Sequence, residues 1–297
     1  MRGIHSVLFA CALGVSTVAF AQSGAGGTDE ASKLKQFLGQ LHYQSGTIQI
    51  SEAGATLKLV PEYRYLGAKD AQKVLEELWG NPPDSDVLGM ILPQGEATLS
   101  KEETWAVVVT YSSDGFVSDE EAAKTDYDKM LKDMQGDTRD ANAERKKQGY
   151  DEVELVGWAT KPHYDHADNK LYWAKELAFG GGADHTLNYD IRALGRKGYL
   201  SLNAIADMSQ LPRVEEGMQR VLGMTEFDPG SRYADFDKNT DKIAAYGIAA
   251  LVAGGIAAKA GLFAKLFAVL LAAKKVIFLG LAAAGGVITK LFKRKAN

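Results

Sequence analysis

Apolar and polar positions alternate with a period of two along residues 185–206. Leu187, Tyr189, Ile191 and Ala193 fall on one side of an extended chain, and Asn188, Asp190 and Arg192 on the other. Beyond a GRKG turn, Leu200, Leu202, Ala204 and Ala206 stand against Tyr199, Ser201 and Asn203. This period predicts two antiparallel strands with one buried face and one wet face. Glu154–Tyr164 and Leu171–Phe179, joined by DHADN and GGGAD turns, extend the pair into a meander. Upstream, Thr47–Ile50 and Thr56–Val60 flank a short turn and predict a hairpin, and Val87–Leu92 and Thr104–Tyr111 predict further strands. Ala106–Val109 is continuously apolar, as in a central strand.

Helical spacing appears in Asp29–Leu41 (Leu34, Phe37, Leu38, Leu41) and in Lys69–Trp79 (Val74, Leu75, Leu78, Trp79), the latter stopped by GNPPD. Ser118 with Glu121 reads as a capping box opening a helix to about Met134, followed by a polar helical stretch over Arg139–Gln148. Leu211–Leu222, with Pro212 in its first turn, predicts a closing helix. Helices and antiparallel strands in separate blocks predict an α+β fold, with antiparallel sheets packed by helices. The body forms one domain or two lobes, about 29–112 and 113–226.

The two ends have a different texture. Arg2, the uncharged run Val7–Phe20 and Ala19-Phe20-Ala21 compose a secretory signal over residues 1–21, with Gln22 as the mature start. An N-terminal anchor would need a longer apolar run. Leu8–Cys11 lies too early for a lipoprotein box, so cleavage removes Cys11, the sole cysteine, and with it thiol chemistry and disulfides. From Ile243 to Thr289 there is no acidic residue. Residues 243–297 therefore predict a C-terminal transmembrane helical tail with a basic end, crossing a membrane once near 243–264, with the main domain on the exported side. As one helix, residues 243–289 would extend about 70 Å, twice a bilayer core, so a second pass near 269–289 stays open. Ala250, Gly254 and Ala258 put small residues on one face and suggest oligomerisation through the anchor.

Charge sharpens this division. The chain has a formal net charge of −4. Its exported part, residues 22–242, carries 25 Lys and Arg against 38 Asp and Glu, a balance of −13, while residues 243–297 carry eight basic residues and no acid. The near-neutral overall balance gives no warrant for nucleic-acid binding, while an anionic lipid bilayer would repel the acidic body and attract the basic tail.

Chemistry-bearing motifs are sparse. The chain lacks G-x-S-x-G, H-E-x-x-H and a phosphate loop, and Gly180-Gly181-Gly182 reads as an inter-strand connection. His163, Asp165 and His166 are candidate metal ligands at the DHADN turn, with Asp168 and His185 as further donors; a polar hairpin tip explains the same residues. Asp235-x-Asp237-x-Asn239-x-Asp241 begins like a calcium loop but lacks its glycine and bidentate acid, so it reads as a solvated membrane-proximal linker. The wet sheet face of Asn188, Asp190, Arg192, Tyr199, Ser201 and Asn203 is the candidate ligand or partner face. Trp79, Trp105, Trp158 and Trp173 suit a core better than a carbohydrate platform.

The segments GNPPDSDVLGMILP (80–93), TWAVVVTYSSDGFVSDEEA (104–122), GWATKPHYD (157–165) and YGIAALVAGGIAAKAGLFAK (246–265) resemble the bacterial membrane-anchored proteins grouped as domain-of-unknown-function family 2167. The resemblance implies a bacterial envelope protein with a C-terminal anchor, so that the crossing near 243–264 is of the inner membrane and the main domain is periplasmic; it carries no catalytic residues or cofactor with it. Two readings follow. One is a non-enzymatic periplasmic module that binds an envelope protein or component; the other is a metal-assisted hydrolase using the His163–Asp168 cluster.

Overall fold

A computed structural model describes residues 27–79, 81, 83–94, 105–147, 151–183 and 185–253. The expected signal at 1–21 lies outside them, as does the expected tail beyond 253. Contacts divide the chain into a unit of residues 7–252 and another of residues 1–6 and 253–297, of which only Ala253 is described.

Eleven strands and five α-helices are described. The strands are β1 (Tyr43–Gln44), β2 (Thr47–Ile50), β3 (Ala55–Lys58), β4 (Tyr63–Gly67), β5 (Val87–Pro93), β6 (Ala106–Ser112), β7 (Val153–Asp165), β8 (Lys170–Phe179), β9 (His185–Leu194), β10 (Tyr199–Asp207) and β11 (Thr225–Phe227). The helices are α1 (Gly27–Leu38), α2 (Ala68–Lys73, continued by a wider turn over Val74–Leu78), α3 (Tyr127–Lys147), α4 (Leu211–Met224) and α5 (Ile248–Val252). The architecture is α+β. An antiparallel eight-stranded sheet runs β1-β4-β5-β6-β10-β9-β8-β7, and a three-stranded sheet runs β11-β3-β2. The meander β7 to β10 is present, and β6 pairs with β10 from Ser112↔Tyr199 to Ala106↔Ile205. Segments 29–112 and 113–226 thus contribute to one continuous sheet.

Over β9 and β10, one face of the large sheet is apolar where expected. Leu187, Tyr189, Ile191, Ala193, Leu200, Leu202, Ala204 and Ala206 join Val107 and Val109 in a core closed by α4 (Val214, Met218, Val221) and by Ile48, Ile50, Ala55 and Leu57 of the small sheet. Gly217 lets α4 approach closely, since a Cβ there would lie 2.3 Å from Trp105 Cζ2.

The opposite face carries two separate apolar clusters. Over β4–β6, Leu66, Met90, Leu92, Ala106 and Val108 pack beneath Ala71, Val74 and Leu75, with Phe37 and Leu38 of α1 against them. Over β8 and the end of β9, Leu171, Trp173 and Leu194 pack beneath Val117, Ala122, Ala244, Ile248, Leu251 and Val252. The first residues of the expected membrane segment therefore belong to the domain: Ile243 bridges Phe116, and α5 buries its apolar side. Ala250 lies on α5, whereas Gly254 and Ala258 fall outside the described residues.

The segment before α5 is built into the fold rather than solvated. Asp235 Oδ2 accepts the amides of Gly230 and Arg232, Asp237 Oδ1 accepts that of Asn239, and Asp241 pairs with Arg196 on the β9–β10 turn. Phe116 stacks between Tyr233 and Phe236, with ring centroids 4.4 and 3.9 Å away. The acids that imitate half a calcium loop thus fold their own turn and strap it to the sheet.

The helix expected from Ser118 starts instead at Tyr127, where Asp126 Oδ1 accepts the amides of Asp128 and Lys129. Glu121 is used elsewhere, accepting the Ala249 amide at the start of α5. No residue of α3 is buried. The helix runs along β7, an edge strand, and caps its free backbone: Asn142 exchanges two 2.9 Å hydrogen bonds with Val153, and Gln135 donates to the Leu155 and Val156 carbonyls. An open edge invites pairing with another chain, and α3 covers it with side-chain amides.

Candidate functional site

Between the two apolar clusters, strands β8, β9 and β10 bring six polar side chains onto one strip. Register sets Lys175 opposite Asn188, Asn203 opposite Asp190 and Ser201 opposite Arg192. Asp190 is the hub. Its Oδ1 accepts Asn203 Nδ2 at 2.9 Å and lies 3.0 Å from Arg192 Nη1, while its Oδ2 lies 3.5 Å from Lys175 Nζ. Asn188 Nδ2 donates to Asn203 Oδ1 at 3.3 Å and continues the chain of bonds. The Arg192 guanidinium stands over the Trp173 ring, 5.0 Å from its centroid, and 5.9 Å from that of Tyr199.

This face is not wet. The Asp190 side chain is 4% exposed, and those of Lys175 and Arg192 are 16% and 15% exposed. Asn188 is also buried. Alternation within β9 and β10 separates the two faces correctly, but the segments that cover the second face on either side, residues 37–38 and 71–75 and residues 117–122 and 244–252, are too distant in sequence for local alternation to register them. Lys175 and Trp173 were not among the expected site residues. Both follow from the same period of two in β8 once Trp173 is set against Asp190 and Lys175 against Asn188.

A carboxylate so withdrawn from water carries a large desolvation cost, and two cations together offset it. The strip holds two cations and one anion in the midst of apolar surface. Beneath Arg192, the Trp173 indole N–H is buried and has no hydrogen-bond partner among the described residues.

The candidate metal ligands go separate ways. His163 pairs across strands with Tyr172, with ring centroids 5.1 Å apart. Asp165 Oδ1 accepts the Ala167 and Asp168 amides and folds the hairpin turn. His166 Nδ1 lies 3.3 Å from Asp119 Oδ2, and His185 pairs with Glu176. Among the described residues, no group of three or more His, Cys, Asp or Glu is placed to hold a metal ion. Tyr164 and Tyr233 close around Asp119, and burial, followed by that carboxylate, pushes the Tyr164 hydroxyl well above its ordinary value. Trp105 and Trp173 are core residues, and Trp79 and Trp158 pack against the apolar clusters. Beside the Arg196–Asp241 pair, a cleft of about 390 Å³ is lined by Glu52, Tyr111, Lys197 and Lys242, among others.

The fold and strip define a class: an α+β domain built on one antiparallel sheet, with an apolar core on one face and a charged seam on the other. The chain belongs to the family described as Protein of unknown function (DUF2167), matched over residues 42–285. No curated protein matches it. Among solved structures, cyanobacterial PsbP (CyanoP) from Synechocystis is similar at 12% identity over 63% of this chain and 92% of that one, with a TM-score of 0.35. The Ran-binding protein Mog1p of Saccharomyces cerevisiae is similar at 9% identity over 67% and 100%, with a TM-score of 0.34. LpqN of Mycobacterium tuberculosis, involved in cell envelope biogenesis, is similar at 13% identity over 66% and 97%, with a TM-score of 0.32.

Proposed function

We propose that this chain is an exported bacterial envelope protein, held at the inner membrane by its C-terminal residues, and that its domain is a non-enzymatic binding module. Its binding face is the strip formed by Lys175, Asn188, Asp190, Arg192, Ser201 and Asn203, with the Tyr199 ring beside Arg192. The observation that carries this reading is Asp190, nearly withdrawn from water between Lys175 and Arg192 on a strand whose other face is apolar. Buried ion clusters are poor devices for stability compared with apolar packing of similar volume. Polar groups of fixed geometry on an otherwise apolar surface are how a binding site selects its ligand.

Among the described residues, no helix is long and apolar enough to cross a membrane. Because Ile248, Leu251 and Val252 are buried in the domain, the crossing proposed here begins no earlier than residue 253. The acidic body and the basic tail support this placement, since an anionic lipid surface repels the first and attracts the second. The hydrolase reading draws no support from the geometry, because Asp165 is spent on its own turn and His163 and His166 have separate partners.

Placing a photoreactive residue at Ser201 in intact cells tests the strip. A discrete adduct that disappears on Arg192→Met is expected; an adduct indifferent to that substitution contradicts the reading. A periplasm-dependent reporter fused after Asn297 tests the topology. It stays silent with one crossing, and its activity would overturn that arrangement.

A further inference from the structure

We infer that the strip receives one carboxylate group of its ligand, an inference that rests on reading the strip as a binding face. Lys175 and Arg192 bring two positive charges and Asp190 one negative, so the cluster is left with a single uncompensated cation. Its hydrogen-bonding capacity is unbalanced in the same direction. Of the Arg192 guanidinium, only Nη1 is engaged, by Asp190 and by the Ile191 carbonyl. Nε and Nη2, one planar edge of the fork, have no partner among the described residues. Lys175 Nζ has one partner, at 3.5 Å, for its three protons. The buried Trp173 Nε1–H beneath Arg192 has none. Donors therefore outnumber acceptors in the cluster, and Arg192 and Lys175, 15% and 16% exposed, can be reached from solvent, whereas Trp173 Nε1 is buried.

The missing partner is an acceptor bearing one negative charge. An arginine edge offers two parallel N–H groups, the spacing a carboxylate accepts. A phosphate monoester brings about 1.5–2 negative charges and would leave the cluster with excess anion beside Asp190. A neutral amide would satisfy donors but leave the uncompensated cation. Arg192 and Lys175 thus bind the carboxylate, Asp190 holds both cations in place, and the Trp173 and Tyr199 rings flank the guanidinium. A terminal carboxylate of a peptide, or that of an acidic sugar, meets this description.

The test follows indole N–H resonances of the ¹⁵N-labelled full chain in detergent micelles, with Trp173 assigned by Trp173→Phe. N-acetyl-alanine is the carboxylate probe, N-acetyl-alaninamide its neutral counterpart and inorganic phosphate the dianionic one. Saturable movement of the Trp173 resonance with the acid alone is expected. Arg192→Met weakens it about tenfold or more, as loss of a charge-assisted pair requires, and Arg192→Lys, which keeps the charge but not the fork, weakens it too. The other three indole resonances report whether each variant is folded. Equal response to acid and amide, response to phosphate in preference to the acid, or no response to any probe overturns the carboxylate inference. The Ser201 adduct in cells is read independently, so a failed carboxylate and a failed strip are distinguishable.

Discussion

Arg196 grips Asp241 with both arms of its guanidinium, Nε at 2.7 Å from Oδ2 and Nη2 at 3.1 Å from Oδ1. The pair ties the β9–β10 turn to the segment that leads to α5, and the Asp237 amide donates to the same carboxylate. Arg196 also donates its backbone amide to Ser231 O, and Phe116 donates its own to Lys242 O. Asp241→Asn removes the charge from this latch. Amide exchange at Arg196 and Phe116 is then expected to quicken by about tenfold or more, with β9 and β10 unaffected, because local openings draw on local contacts. Hydrogen exchange read by NMR checks both parts.

The latch has a definite pH dependence. The Arg196 hydrogen bond, followed by the Asp237 amide, holds the Asp241 carboxyl below its ordinary value. A depressed carboxyl contributes stability that is fully present above its unfolded value of about 3.9 and is lost as pH falls through the folded value. Protection of the Arg196 amide is therefore expected to change little between pH 7 and 5, after allowance for intrinsic exchange, and to collapse only on further acidification. Collapse between pH 7 and 5 would contradict the assignment.

Helix α3 is expected to act on solubility rather than on core stability. Replacing Gln135 and Asn142 together by Ala strips the caps from β7, leaving the carbonyls of Val153, Leu155 and Val156 and the Val153 amide open to another chain. Size-exclusion chromatography with light scattering over a concentration series should show association in this variant that the wild type does not show.

Gly217→Ala tests the closure of the apolar core. The added methyl meets Trp105 Cζ2 and Cη2 at 2.3 and 2.4 Å, so α4 or the indole must move. Overpacking of this kind costs about 1–3 kcal/mol, against roughly 1 kcal/mol gained from helix propensity. A lower urea midpoint with an unchanged slope is the expected result.

Much of the large sheet is legible in local sequence because strong alternation and turn chemistry coincide there. His185–Leu194 is a strand with the bounds its pattern predicts, and its apolar set lines the core. Tyr63–Gly67 is not legible, being five residues long, with Arg64 between two tyrosines and Pro61 just ahead. Ser118 and Glu121 have the spacing of a capping box, yet Glu121 binds an amide 128 residues away. Likewise, the hydropathy of Ile243–Val252 is equally suited to lipid and to the apolar cluster around Leu171 and Trp173, and only tertiary contacts choose. For the candidate site, alternation groups Asn188, Asp190 and Arg192 on one face, but it cannot reveal Lys175 as the second cation or the burial of the cluster. Both depend on inter-strand register and on covers from remote segments.

The measurement that bears most directly on the strip is the urea midpoint of the full chain with Lys175→Met, Asp190→Leu and Arg192→Met combined. Removing Asp190 alone leaves two buried cations together and is expected to cost about 3–5 kcal/mol. If the network serves binding, the triple apolar replacement keeps the wild-type midpoint or raises it, corresponding to a gain in stability of up to about 4 kcal/mol. A triple variant as unstable as the single one would show that the network holds the fold, and would contradict the assignment of this strip to recognition.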